Sequence, residues 1–215
     1  MITVLTTVVA AYLLGSINFA VIFTKLFTKQ DIRDLGSGNA GTTNTMREVG
    51  ALPGILTFLG DALKGFVASG MGYIFFDYLS QNGYEWLTAI YGAYVCGVAC
   101  MMGHMFPIFF GFKGGKGVAV SVGIFVVCSW QAILIGLGVF ALCLLISKFV
   151  SVSSLLATVT VVCLSVVFND SNSALWPQVV MSVIMGTAVF LKHSENIKRL
   201  ISGEENKIGS KRSKK

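Results

Sequence analysis

Fifteen of the sixteen lysine and arginine residues in this chain fall in every second connection between its long apolar runs, or in the C-terminal tail. The intervening connections, "SQNGYEW", "CSWQA" and "NDSNSAL", hold none. Seven runs read as bilayer crossings: about 2–24, 53–78, 86–110, 117–129, 131–147, 152–168 and 175–191. A crossing helix takes about 20 mostly apolar residues, so the fourth, sixth and seventh are short. The stretch 117–147 is almost unbroken and divides at "CSWQA". Basic residues collect on the cytoplasmic side of membrane proteins. The pattern therefore predicts an all-α polytopic membrane protein of about seven transmembrane helices, N-terminus outside and C-terminus cytoplasmic.

Composition agrees. Apolar residues make up 54% of the chain and charged residues 12%, whereas soluble domains carry about a quarter charged. The expectation is one transmembrane domain over 1–209, followed by a basic, disordered tail at 210–215 lying on anionic lipid. The start "MITVLTTVVAAYLLGS" lacks a basic cluster, which argues against a cleaved signal peptide. Cys96, Cys100, Cys128, Cys143 and Cys163 all sit in apolar runs and are expected to be small packing residues, with no disulfide framework.

Four unusual polar stretches fall on the predicted inner face. In "GSGNAGTTN", Gly36, Gly38 and Gly41 can take positive φ and expose backbone N–H groups. Ser37, Asn39, Thr42, Thr43 and Asn44 add short polar groups, and Arg47 follows within one turn. This suits an anion nest, the more so if a helix starts near Thr43, against the alternative of a flexible glycine loop. In "FKGGKG", Gly114 and Gly115 would let a ligand approach the main chain between Lys113 and Lys116. It is not a P-loop, because the spacing is wrong; lysines anchored at lipid headgroups are the alternative. "KFVSVSS" and "KHSENIKRLISGEENKIG" complete the set. His193 and Asn196 are three apart and share a face if helical.

Three groups read as structural. Asp61 and Lys64 are three apart within the second run, where charges must pair or face a polar cavity. His104, just before Pro107, reads as closing a helix end.

Basic groups and glycine nests gathered on one face predict binding of phosphorylated molecules, one of them a lipid. No His or Cys cluster and no D-x-x-D-G arrangement offers a metal site. The H-x-x-x-x-D pair of acyl-CoA acyltransferases is also missing: Phe109 and Lys198 stand in the fifth place after His104 and His193. An anion transporter could use the same inner-face site, but such proteins show inverted repeats and a midplane site, and no glycine motif repeats here. A non-catalytic scaffold would not need so many polar motifs on one face.

Together "AYLLGS", "GSGNAGTTN", "GDALKG", "GHMFPIFFGFKGGKGVAV", "SKFVSVSS" and "LKHSENIKRLISGEENKIG" resemble, in order and up to about residue 209, the bacterial acyl-phosphate:glycerol-3-phosphate acyltransferases. This chain departs by Ala40 where that family usually has Pro, Thr42 where it has Ala, and Val120 where it often has Thr. The resemblance implies a seven-helix inner-membrane enzyme. It would move a fatty acyl group from acyl phosphate to the 1-hydroxyl of glycerol 3-phosphate, giving lysophosphatidate and phosphate, with no metal or other cofactor. Its partners would be the two substrates, membrane lipid and the enzyme that makes acyl phosphate; nucleic acid is not expected. By similarity, Ser37, Arg47, Lys113, Ser151, His193 and Asn196 would surround glycerol 3-phosphate, with Arg47, Lys113, His193 and Asn196 the catalytic group. Gly38, Asn39, Gly41, Thr42, Thr43 and Asn44, with Gly114, Gly115 and Lys116, would hold the acyl-phosphate headgroup. Asp61, Lys64, His104, Glu205 and Lys207 would be supporting residues. The proton would pass to His193 or, the favoured alternative, to a substrate phosphate, with His193 then positioning the phosphate.

Overall fold

The computed structural model describes residues 2–168 and 175–208. Most of the connection "NDSNSAL", and the expected boundary at 209 with its tail 210–215, lie outside the described residues. Every regular element among the described residues is helical. The structure is an integral membrane bundle, as its apolar runs predict.

The first run is two helices, not one: α1 (Ile2–Gly15) and α2 (Phe19–Thr28). Asn18 makes the restart, its side-chain oxygen accepting from the Val21 N–H at 3.2 Å. A helix end leaves carbonyls without intrahelical partners. The carbonyl of Ile17, in the break between the two helices, accepts from the Lys64 ammonium at 2.6 Å.

A short helix α3 (Thr42–Glu48) leads into α4 (Ala51–Gln81). With 31 residues, α4 is about 46 Å long, more than a bilayer core of about 30 Å needs. Pro53 sits in its first turn, where a missing N–H is harmless. α5 (Ala89–Met105) crosses α4 where Gly72 and Gly92 each face the other's carbonyl. Side chains there would hold the two backbones apart.

The division of 117–147 falls at Ser129, between α6 (Val118–Cys128) and α7 (Trp130–Ser147). α6 has 11 residues, about 16 Å of helix, against a bilayer core of about 30 Å. α8 (Val150–Val167), α9 (Leu175–Lys192) and the short amphipathic α10 (Ser194–Ile201) follow. Among the described residues, five segments are long and apolar enough to cross a membrane: Ile2–Thr28, Ala51–Gln81, Ala89–Phe110, Trp130–Ser147 and Val150–Val167. α6 and α9 are shorter apolar helices.

The core is small and tightly filled: Tyr94, Cys96, Cys100, Met101, Met105, Val120, Ile124 and Met185 are buried. The five cysteines are unpaired, with Cys163 facing outward. Outside lies a continuous apolar coat that includes Leu134, Leu142, Leu145, Ile146 and Leu191. Such a coat would aggregate in water and belongs in lipid. All three tryptophans, Trp86, Trp130 and Trp176, are exposed. They stand in or beside the connections that lack basic residues, as interfacial aromatics do.

Candidate active site

The connections at the opposite end converge on one cavity of about 170 Å³. The loop before α3 forms its first wall. Gly36 and Gly38 take positive φ, 57° and 72°, which allows the tight winding. Asn44 holds the loop from within: its amide nitrogen reaches the carbonyls of Leu35 (2.9 Å) and Asn39 (3.1 Å), and its oxygen accepts from the Ser37 N–H at 3.1 Å. Behind it, Asp31 accepts from the Arg33 guanidinium, which also donates to the Phe110 carbonyl at 2.7 Å. The hydrogen bond from Arg33 holds the Asp31 carboxyl below its ordinary range.

Ser37, Asn39, Gly41, Thr42, Thr43, Asn44 and Arg47 line the cavity. Two expectations are corrected. The nest is smaller than the glycine spacing implies, because the Gly38 and Gly41 N–H groups already donate to Leu35 and Asn39 carbonyls. Asn44 is a brace, its amide satisfied by the loop. Thr42 Oγ1, by contrast, lies buried without a protein partner among the described residues.

The glycine-lysine loop supplies the second wall, and here the two lysines part. Lys116 lines the cavity and donates to the Asn196 side-chain oxygen. Lys113 is not among the lining residues, and neither are Gly114 and Gly115. The cause is packing. The Gly115 N–H donates to the His104 carbonyl at 3.2 Å, and a Cβ on Gly114 or Gly115 would collide with His104. These glycines seat the loop on α5. Gly117, at φ 85°, then turns the chain into α6.

The third wall comes from the last turns of the chain. His193 joins α9 to α10, and its Nδ1 lies 2.8 Å from the Val189 carbonyl. A carbonyl only accepts, so Nδ1 carries the hydrogen and Nε2 presents a lone pair. Burial, with the charge of Lys116 nearby, pushes the imidazole down to about 4, so it is neutral at physiological pH. Asn196 and Arg199 both donate to Glu205, at 2.6 and 2.8 Å. Burial would raise the Glu205 carboxyl, but these hydrogen bonds outweigh it and hold it below the ordinary range. The segment carrying Glu205 is tied back where the Ile208 N–H donates to the Lys148 carbonyl at 2.9 Å. Lys207 lies over the Phe149 ring, 5.3 Å from its centroid. Ser151, in the first turn of α8, completes the wall.

Electrostatically the cavity is basic. Arg47, Lys116 and Arg199 face it with Glu205 as counter-charge. Burial, then the repulsion of Arg199 and Arg47, push Lys116 down to about 8, against the pull of Glu205. An ammonium so pressed gains from a bound phosphate. Arg199 escaped the sequence reading, although it stands one turn after Asn196 on a helix with a strong polar face.

Below this rim the cavity reaches Asp61 and His104. The expected Asp61–Lys64 pair forms at 2.8 Å, fully buried, and His104 joins it, its Nδ1 at 3.0 Å from the ammonium. Sideways, Val118, Phe140 and Ser154 are shared with an apolar groove between α6, α7, α8 and α9 that continues past Val122, Ala157 and Val161.

Comparison with known proteins places these features. A family model described as glycerol-3-phosphate acyltransferase matches residues 5–203. The chain is 39% identical to glycerol-3-phosphate acyltransferase 2 of Bacillus anthracis over 202 residues, 94% of this chain and 97% of that one. It is 41% identical to the glycerol-3-phosphate acyltransferase of Francisella philomiragia over 203 residues, covering 94% and 92%. The fold superposes on crystal structures of PlsY (YgiH), an integral membrane glycerol 3-phosphate acyltransferase. The TM-score is 0.82 for the glycerol 3-phosphate form and 0.79 for the lysophosphatidic acid form, each at 34% identity over 96% of both chains.

Proposed function

The chain belongs to the glycerol-3-phosphate acyltransferase family, and from that premise we propose that it transfers a fatty acyl group from acyl phosphate to the 1-hydroxyl of glycerol 3-phosphate. The products are lysophosphatidic acid and inorganic phosphate. The observation that carries this reading is the convergence of Arg47, Lys116 and Arg199 on a cavity that opens sideways into an apolar groove. That shape suits a soluble phosphoester meeting a phosphate with a long tail.

Glycerol 3-phosphate sits against Arg47, Lys116, Arg199, Asn196, Ser37 and Ser151. The acyl-phosphate headgroup takes the first turn of α3, with Asn39, Thr42 and Thr43, and its chain follows the groove between α6, α7 and α8 into lipid. His193 departs from the expected role. A neutral ring presenting a bare Nε2 accepts a hydrogen bond and repels a phosphate oxygen, so it orients a glycerol hydroxyl. With its pKa near 4, it is a weak base. The hydroxyl proton passes instead to the departing phosphate. Acyl phosphate is a mixed anhydride with a good leaving group, so orientation and charge stabilisation suffice.

The site faces the cytoplasm, with the N-terminus outside and seven crossings, α6 and α9 among them. The segregation of lysine and arginine supports this orientation. The test of function uses purified protein in detergent with palmitoyl phosphate and glycerol 3-phosphate. Phosphate release that requires both supports the reading. Equal turnover with palmitoyl-CoA, or no release alongside phosphate flux in liposomes, overturns it.

A further inference from the structure

We propose that His104 is a catalytic hydrogen-bond donor to the acyl carbonyl oxygen, its hydrogen locked onto Nε2 by Lys64. The assignment rests on the acyl-transfer reading above. The Lys64 ammonium donates to the Ile17 carbonyl at 2.6 Å, lies 3.0 Å from His104 Nδ1, and forms an ion pair with Asp61 Oδ1 at 2.8 Å. An ammonium cannot accept. Nδ1 is therefore the acceptor, and the ring hydrogen resides on Nε2. Asp61 Oδ1 lies farther from Nδ1, at 3.4 Å, than the ammonium does, and a hydrogen on Nδ1 would point its positive end at the Lys64 ammonium 3.0 Å away. The ammonium leaves no room on Nδ1 for a second proton, and the Asp61 carboxylate balances its charge.

The Nε2–H has no protein acceptor among the described residues, and His104 lines the cavity beside Asp61, Asn39 and Gly41. A side chain at 115 would collide with Nε2; glycine keeps that ring edge clear. His193 shows the opposite face to the same cavity: its Nδ1–H is tied to Val189 and its Nε2 is bare. The cavity thus holds one neutral imidazole that donates and one that accepts. A carbonyl oxygen gaining negative charge needs the donor, and an attacking hydroxyl needs the acceptor.

The step balances without a proton leaving His104. The glycerol 1-oxygen bonds to the carbonyl carbon, the bond from that carbon to the phosphate oxygen breaks, and the hydroxyl hydrogen goes to the departing phosphate. His104 only donates a hydrogen bond to the carbonyl oxygen while charge accumulates there. A donor already oriented by a buried ion pair pays no reorganisation during the reaction.

The chain has two histidines, so nitrogen NMR of histidine-labelled full-length protein resolves each ring, with His193→Ala as the assignment variant. At neutral pH His104 is expected to carry hydrogen on Nε2 alone and His193 on Nδ1 alone; hydrogen on Nδ1 of His104 overturns the proposal. This measurement needs no turnover, so it stands apart from the test of acyl transfer. The carbonyl contact is read by infrared spectroscopy of a bound palmitoyl phosphonate, in which a methylene replaces the bridging oxygen. Its carbonyl stretch should fall on binding wild type and return toward the free value in His104→Leu, at similar phosphonate affinity. An unshifted stretch in wild type overturns the proposal, whether or not the variant folds. In turnover, His104→Leu should lower kcat about 100-fold or more with KM for glycerol 3-phosphate within about threefold, and His104→Gln should recover part of it. A raised KM with kcat retained would instead mark His104 as a brace for the glycine loop.

Discussion

Lys116 and Asn196, eighty positions apart, meet in a hydrogen bond that joins the glycine loop before α6 to the helix after α9. The lysine end of this contact is the charge best placed for a substrate phosphate. Lys116→Met should lower kcat/KM for glycerol 3-phosphate by about 10- to 100-fold, the loss of one charge-assisted hydrogen bond. Lys113→Met, outside the cavity lining, should change it less than threefold by the same scale. Steady-state kinetics on the two variants decide which lysine acts.

The Lys116 ammonium, pushed down to about 8, should make substrate affinity fall as pH rises through that value, because deprotonation removes a cation from the site. Arg199 and Arg47 help to depress it, so Arg199→Gln should move the fall to higher pH while weakening binding at neutral pH. Glu205 acts in the opposite sense, and Glu205→Gln should move the fall to lower pH. KM for glycerol 3-phosphate measured from pH 7 to 9.5 on the three proteins checks the signs.

Asn44 braces a loop, whereas Ser37 lines the cavity. Asn44→Ala would strand the Ser37 N–H, at a cost of about 1–3 kcal/mol. Thermal unfolding in detergent should show a clear fall in Tm for Asn44→Ala. Ser37→Ala should keep its Tm and raise KM.

The apolar groove predicts a separation of the two substrates. Ala157→Leu, projecting into the groove, should raise KM for palmitoyl phosphate at least severalfold and leave KM for glycerol 3-phosphate unchanged. A bulky residue there consumes space the acyl chain needs, and two-substrate kinetics separate the effects.

Orientation can be read by impermeant thiol reagents. In a variant freed of reactive native cysteines, Asn82→Cys should label in intact cells, and Ser202→Cys only once the membrane is opened or inverted. The reverse pattern would place the cavity outside.

Much of this protein follows from sequence alone. Apolar run length and the side on which lysine and arginine collect are local properties, set by the cost of desolvating backbone and charge. They suffice for an all-helical membrane bundle, for the break at Ser129 and for the convergence of 37–47, Ser151 and 193–196 at one end. Which side chain enters the cavity is a different matter. Lys113 and Lys116 look equivalent in "FKGGKG", and only the seating of Gly114 and Gly115 on His104 turns Lys116 inward. Asn44 resembles any ligand-binding amide until the carbonyls of Leu35 and Asn39 come within its reach. His104 joins Lys64 only because the first helix breaks at Ile17, freeing a carbonyl that holds the ammonium in place. Each of these choices depends on contacts between distant segments, whose directions no local pattern encodes.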